Sequence, residues 1–257
     1  MKRIALLGIS LLVLPLLFNW SCDENVGPNE LNAKYTILGG LVKNLDNDSI
    51  VIAASFLKND SAFSGAMLTL PKDTLKYDSI NEVYLEYYSG DTSLAWGNYR
   101  MRITDLPWFN DSAVFTIPHD FAISSIQLPD DRVNPGGEPV IFEWQTSLGS
   151  DGYAYGVVLK DSAYTGYGYS EFVTAEEGTS TNIPPDAFRV SGNVGGPDTG
   201  WYYVYVYAYS ESPASEFNLP TAIPAGLANN ITKLNFTGKF GAIVVTPHDS
   251  IHVTVQN

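Results

Sequence analysis

The sequence predicts an all-β protein built of tandem antiparallel β-sandwiches. Short runs of β-branched and aromatic residues, bounded by Gly, Asn, Asp and Ser, recur along the chain. One of them, at residues 201–210, has no strand-breaking residue and predicts a long central strand. The 257 residues leave room for two sandwiches of about 100 residues each. With 16 Tyr, 12 Phe and 5 Trp, the chain can fill such cores, so we do not expect disorder.

The predicted central strand has two contrasting faces, because successive side chains of a strand point in opposite directions. One face tapers from Tyr202 to Ser210 and is typical of a sandwich core. The other face, which we call the aromatic stripe, consists of Trp201, Tyr203, Tyr205, Tyr207 and Tyr209. An aromatic surface of this size is either covered by other protein or used to bind a ligand, for example a sugar ring by stacking. The sequence leaves both interpretations open.

Residues 1–21 have the three-part plan of a signal peptide. Lys2 and Arg3 precede an apolar run at 4–18, and a short polar end follows. Fifteen apolar residues with a proline are short for a membrane-spanning helix. Cys22, the sole cysteine of the chain, stands at the end of this segment and resembles the lipidated cysteine of bacterial lipoproteins. The resemblance implies cleavage before Cys22 and attachment to a membrane through acyl chains.

Four further segments follow the signal peptide in the predicted organisation. Residues 22–32 are polar, contain Gly and Pro, and predict a flexible tether behind the lipidated cysteine. Residues 33–120 predict an N-terminal β-sandwich, and residues 121–213 a second one. Residues 214–257 are too few for an independent domain, and their two apolar runs predict a C-terminal hairpin that docks on a preceding sheet.

The second predicted sandwich contains an order of strands and core aromatic residues that is typical of a known domain family. Phe142 and Trp144 share one face of an early strand, a Tyr-led strand YAYGVVLK follows, and Tyr-x-Val-x-Val-x-Ala spans 202–208. This pattern resembles a fibronectin type III domain, one of the immunoglobulin-like sandwiches. The resemblance implies a sandwich fold and commonly a role in spacing or adhesion. Residues 184–199 replace the tight corner usual in that family with a longer Gly-rich segment, which predicts a binding loop or a flap.

Two smaller constellations are candidate binding positions. Tyr164, Tyr167 and Tyr169 form a second aromatic cluster, in a Gly-containing loop that allows close approach of a ligand. Asn44, Asp46 and Asp48 alternate like the oxygen ligands of a calcium loop, although serines stand where such loops have Gly and Glu. An Asn- and Asp-rich hairpin turn explains the second pattern equally well.

The net charge and the absence of known motifs argue against several classes of function. The formal net charge of −14 argues against nucleic acid as a partner. His248 and His252 lie about 13 Å apart on a strand, too far for one metal ion. The sequence contains no nucleophile elbow, phosphate loop or zinc-helix motif, so we expect no cofactor and no catalysis. The expected protein is a non-catalytic, extracytoplasmic cell-envelope lipoprotein that binds or spaces an envelope protein or glycan. The alternatives are a structural subunit of an envelope assembly and a carbohydrate-binding or glycan-active protein.

Overall fold

The computed structural model describes residues 33–71, 73–89, 94–129, 138–160, 168–174, 178–189, 197–214 and 217–254. The predicted signal peptide, Cys22 and the tether lie outside these residues. Within them the chain forms strands and a short 3₁₀ turn at Pro185–Ala187, with no α-helix, which confirms the all-β class. The described part has no helix long and apolar enough to cross a membrane.

Seventeen strands are present in the described residues. They are β1 (Tyr35–Asn44), β2 (Ser49–Lys58), β3 (Ser61–Ala62), β4 (Met67–Thr69), β5 (Lys76–Asp78), β6 (Val83–Ser89), β7 (Gly97–Asp105), β8 (Phe109–Ile117), β9 (Ile123–Gln127), β10 (Val140–Trp144), β11 (Gly152–Leu159), β12 (Gly168–Phe172), β13 (Ser180–Ile183), β14 (Gly200–Glu211), β15 (Ile231–Lys233), β16 (Phe236–Val245) and β17 (Asp249–Val253). The predicted strand at 201–210 is therefore present as β14.

One large sheet runs through the described chain. Its order is β12-β11-β14-β16-β1-β2-β6-β5, with β17 joining at β14, β15 at β16 and β3 at β2. Its pairings are antiparallel except that of β1 with β16, which is parallel from Tyr35↔Phe236 to Asn44↔Val245. Strands of both predicted sandwiches share this sheet, because β16 connects β1 to β14. The described residues from Lys34 onward belong to one compact unit, and strands on both sides of the predicted boundary at residue 120 pair within this sheet.

Two three-stranded sheets cover one face of the large sheet, which we call the sandwich face. In the sheet β4-β7-β8, Phe115 packs edge-on against Phe240 of β16 at a ring distance of 5.1 Å. In the sheet β13-β10-β9, Trp144 packs against Tyr153 of β11 at 5.5 Å. These contacts build a core of large aromatic side chains between layers, as in a β-sandwich.

A polar cluster ties two of these layers together. The Tyr35 hydroxyl of β1 donates to Asp105 Oδ2 of β7 at 2.9 Å, and Lys58 Nζ of β2 lies 3.0 Å from the same oxygen. The Lys58 and Asp105 side chains are largely buried, so each compensates the charge of the other away from water. The cluster therefore fixes the large sheet against the sheet β4-β7-β8.

The C-terminal segment differs from the predicted hairpin. In the described residues, β16 and β17 each pair with β14 rather than with each other: β16 along Tyr207–Glu211, and β17 along Gly200–Val204. Thr246, between them, bonds Val206 through its amide and its hydroxyl, each at 3.0 Å. The twelve-residue β14 is long enough to take both strands end to end, which removes the need for a hairpin.

Candidate functional site

Strand β11 presents small residues to the aromatic stripe. Ala154 lies opposite Tyr207 and Gly156 opposite Tyr205, on the same face of the large sheet. A Cβ atom placed on Gly156 would lie 2.5 Å from the Tyr207 hydroxyl oxygen, so that ring lies across β11. On the sandwich face the large residue is in β11 and the small one in β14, because Tyr153 of β11 lies opposite Ala208 of β14. The large side chains of each strand thus fill the space left by the small ones of the other.

The centre of the aromatic stripe is buried. Tyr207 is 0% exposed and Tyr205 is 5% exposed, in a cluster with Val42, Ile243 and Val245. Tyr203 and Tyr209 are half-buried against this cluster, while Trp201 at the end of the stripe is 51% exposed. Of the two interpretations that the sequence leaves open, cover by other protein therefore applies to Tyr205 and Tyr207, because other parts of the chain occupy the space over their rings.

The cover is a segment of irregular structure that we call the strap, residues 212–214 and 217–228. Leu219 and Ile223 of the strap pack on the buried cluster. Thr221 exchanges a 2.7 Å hydroxyl–hydroxyl hydrogen bond with Tyr207, and its amide donates to the same Tyr207 oxygen at 3.2 Å. Near the start of the strap, the Ala214 amide donates to Gly39 O at 3.0 Å. Backbone, side-chain and apolar contacts together hold the strap over the stripe.

The exposed end of the stripe is surrounded by imidazole rings and a lysine. Because β17 pairs with β14, His252 lies opposite Trp201, and the two rings stack at 4.6 Å with an interplanar angle of 21°. Tyr203 packs against His248 at 4.0 Å, and Lys160 Nζ lies 5.8 Å from the centre of the Tyr203 ring. We call these five residues, Trp201, Tyr203, Lys160, His248 and His252, the stripe end.

Asp46 orients one of these imidazoles. Its Oδ1 lies 2.6 Å from His248 Nδ1 and accepts the His248 amide at 3.2 Å. Burial raises the pKa of the Tyr205 phenol, and the charge of Asp46 and its hydrogen bond with the Tyr205 hydroxyl raise that pKa further. The hairpin turn between β1 and β2 is thereby fixed to the connection between β16 and β17.

The same contacts account for the predicted calcium pattern. Asn44 Oδ1 accepts the Asp46 amide at 2.9 Å, its Nδ2 donates to Asn218 O, and Asp48 adopts a left-handed φ of 48°. These are the features of an Asx-type hairpin turn, the second of the two interpretations. Among the described residues, no group of three or more His, Cys, Asp or Glu side chains could hold a metal ion.

Calcium is therefore expected to leave the stability of the protein unchanged. The oxygens of Asn44 and Asp46 are already used within the turn, so binding would have to break those contacts. Thermal melting in 5 mM CaCl₂ and in 5 mM EDTA should give midpoints within about 1 °C of each other. A rise of several degrees with calcium would restore the calcium-loop interpretation.

Of the second aromatic cluster, Tyr164 and Tyr167 lie outside the described residues, and Tyr169 is on β12. Its hydroxyl and that of Tyr155 both donate to Glu171 Oε2, at 2.6 and 2.8 Å. Burial, together with the hydrogen bond from Tyr169 to Glu171 and the charges of Glu171 and Asp186, raises the pKa of Tyr169 to about 12. Asp186 belongs to the predicted 184–199 loop, where it pairs with Arg189 at 2.5 Å. The described parts of the two predicted binding loops thus approach one another at this cluster.

Several tyrosines are expected to make the fold sensitive to alkali. Burial is the largest cause that raises the pKa of Tyr35, Tyr84 and Tyr202 to about 12. Because an unfolded tyrosine ionises near pH 10, the folded state binds more protons above that pH. The corresponding stability should be complete below pH 10 and fall as the pH rises from 10 to 12. Urea unfolding at a series of pH values, with phenolate absorbance at 295 nm, measures this; equal stability at pH 9 and 12 would contradict it.

Comparisons with known proteins give limited similarity. No protein-family model and no curated protein matches this chain. Three crystal structures are similar to it. Chicken CNTN1 FN1–FN3 domains share 10% identity, with 84% of this chain and 64% of that chain covered and a TM-score of 0.26. Dpr11 IG1 bound to DIP-gamma IG+IG2 shares 11% identity (82% of this chain, 98% of that chain, TM-score 0.25), and murine CEACAM1b shares 10% identity (86% of this chain, 100% of that chain, TM-score 0.23). The chain thus spans less than two thirds of the CNTN1 fragment. TM-scores in this range do not establish a shared topology.

Proposed function

We propose that this chain is a non-catalytic binding or spacing module of a bacterial cell envelope, anchored outside the cytoplasm by a lipid on Cys22. The observation that carries the binding role is the stripe end. There Trp201 is 51% exposed although its neighbour Tyr202 and most of β14 are buried. An exposed Trp in a rigid, paired strand is the kind of residue that contributes most to recognition surfaces.

The rigidity of this surface supports the proposal. Tyr203 pairs with β11 on one side and with β17 on the other, and Trp201 pairs with His252 of β17. Their neighbours His252 and His248 are also held in place, the first by stacking on Trp201 and the second by Asp46. A ligand would meet rings that are already oriented, so little conformational entropy would be lost on binding.

The anchoring role rests on the N-terminal sequence. Residues 1–21 have the composition of a signal peptide, Cys22 is the sole cysteine, and the polar segment 22–32 is suited to a tether. A tether of this kind lets a compact β unit act at a distance from a membrane surface.

A second candidate is a structural subunit of an envelope assembly. It is favoured by an exposed apolar surface elsewhere, where Trp96, 61% exposed, stacks on His119 at a ring distance of 3.9 Å. The His119 amide donates to the carbonyl oxygen of Leu148, whose side chain is also exposed. Exposed Trp side chains are enriched at protein interfaces.

Lipid anchoring can be tested by intact mass spectrometry of the membrane fraction from a bacterium with a working lipoprotein pathway. We expect a chain that begins at Cys22 and carries diacylglycerol and an acyl chain. The Cys22→Ser variant, the matched control, should lack these groups and should leave the membrane fraction. An unmodified wild-type chain that begins at another residue would refute the lipid anchor.

A further inference from the structure

We infer that the stripe end is a binding site for an uncharged glycan; this inference rests on the proposed function and names its ligand class. The site comprises Trp201 and Tyr203 on β14, His248 and His252 in the C-terminal segment, and Lys160 at the end of β11. It contains Trp201, the most exposed residue of the aromatic stripe, and the half-buried Tyr203.

The aromatic rings fit the apolar side of a sugar. A pyranose has a face of C–H groups that packs on aromatic rings, and its hydroxyl groups point outward from its edge. Trp201 is half exposed, and stacking against His252 fixes the plane of its indole. Tyr203, two residues further along the strand, provides a second ring about 7 Å away, so consecutive units of one glycan chain can be contacted.

Polar groups beside the rings fit the hydroxyl groups. Lys160 Nζ lies 5.8 Å from the centre of the Tyr203 ring and offers N–H donors at the side of the site. Asp46 engages Nδ1 of His248, so a sugar hydroxyl would meet the other ring nitrogen, Nε2. Apolar rings flanked by a few oriented polar groups are the common composition of small-ligand sites.

The negative charge of the chain favours uncharged glycans over anionic ones. A formal net charge of −14 repels a polyanion during approach, whereas an uncharged polysaccharide meets no such repulsion. The size of the surface argues against a protein ligand, because a stable protein interface takes about 20 to 30 residues from each partner. Five residues match the dimensions of a short stretch of sugar chain instead.

The test is affinity electrophoresis in native gels that contain dextran, a β-glucan or a galactomannan, with alginate as a charged glycan. The wild-type protein should be retarded by at least one uncharged polysaccharide and not by alginate. Trp201→Ala should weaken the retardation at least tenfold, and Lys160→Ala and His252→Ala should weaken it several-fold. Trp96→Ala is the matched control, because Trp96 is an exposed Trp that also stacks on a histidine, and it should bind like wild type.

Four results would overturn the inference: no retardation by any uncharged polysaccharide, equal retardation by alginate, unchanged binding of Trp201→Ala, or self-association that Trp201→Ala abolishes. The circular dichroism melting curve of Trp201→Ala should match wild type, which separates lost binding from lost folding. The intact mass of the membrane fraction is independent of glycan binding. A failed glycan test with a lipidated Cys22 therefore leaves the envelope role in place, and an unlipidated chain that binds glycan refutes only the anchor.

Discussion

Replacing Tyr207 with Ala is expected to lower the free energy of unfolding by about 3 to 5 kcal/mol, the usual cost of removing a large buried aromatic side chain. Tyr207 is 0% exposed and packs within the cluster that includes Val245 and Ala154. Its hydroxyl also bonds the side chain and the amide of Thr221, so the variant would leave strap groups without a partner. Urea unfolding followed by circular dichroism measures the change.

Trp201→Ala is the matched control for this prediction. Trp201 belongs to the same face of the same strand but is half exposed, so its removal should cost about 1 kcal/mol or less. If Tyr207→Ala cost as little as the ~1 kcal/mol or less expected for Trp201→Ala, or if it unfolded at the wild-type urea concentration, Tyr207 would not be a packing residue. The middle of the stripe would then be open to solvent, and the whole stripe would be available for stacking on sugar rings.

Substituting Gly156 with Ala is expected to cost about 1 to 3 kcal/mol through overpacking. The added Cβ atom would lie 2.5 Å from the Tyr207 hydroxyl oxygen and 2.5 Å from Thr221 Oγ1. Neither atom can move freely, because they are hydrogen-bonded to each other in a buried site. Relief would require lifting the strap or turning the Tyr207 ring, and both would break contacts in the core.

Gly152→Ala provides the comparison on the same strand. Its Cβ atom would also meet a tyrosine hydroxyl at 2.5 Å, that of Tyr209. Tyr209 is only half-buried, so its ring can turn toward solvent and the cost should be clearly smaller. Thermal melting of both variants measures the difference. A Gly156→Ala variant as stable as Gly152→Ala would show that the strap does not hold Tyr207 in place.

The sequence predicts β14 well because the information is local. Ten consecutive β-forming residues define the strand, and strict alternation assigns Tyr207 and Val206 to opposite faces. Local alternation does not show whether another segment of the chain covers the tyrosine face. The strap has no helical or strand period, and it covers the stripe through isolated contacts such as Leu219 and Thr221. A usable signal was present in β11, where Gly152, Ala154 and Gly156 alternate with tyrosines and complement those of β14.

The terminal strands show a second limit of prediction from the sequence, which concerns strand pairing. The runs FGAIVV (240–245) and SIHVTVQN (250–257) were recognisable as β-forming, and the nearest partner for each was the other. The structure pairs 236–245 with a strand about 200 positions away, in parallel, because the edge of β1 and the edge of β14 both need a neighbour. Such long-range pairing depends on the whole sheet and leaves no local pattern.

The candidate site depends both on a local sequence pattern and on long-range strand pairing. Trp201 and Tyr203 were identified from alternation, whereas His248, His252 and Lys160 reach them only through strand register. The alternating Asn44 and Asp46 fitted both a calcium loop and a hairpin turn, since both use the same oxygens. In the structure the Asp46 carboxylate binds His248 and the Tyr205 hydroxyl, two residues that are distant from it in the sequence.

The central claim is that the strap buries the middle of the aromatic stripe and leaves its Trp201 end accessible. Hydroxyl-radical footprinting of the native protein, read by mass spectrometry residue by residue, tests it most directly. Trp201 and the 61% exposed Tyr87 should react fast, and Tyr205 and Tyr207 should react slowly until the protein is unfolded in urea. If Tyr205 and Tyr207 reacted in the native state as fast as Tyr87, the stripe would be open along its length, and the account of the strap would be contradicted.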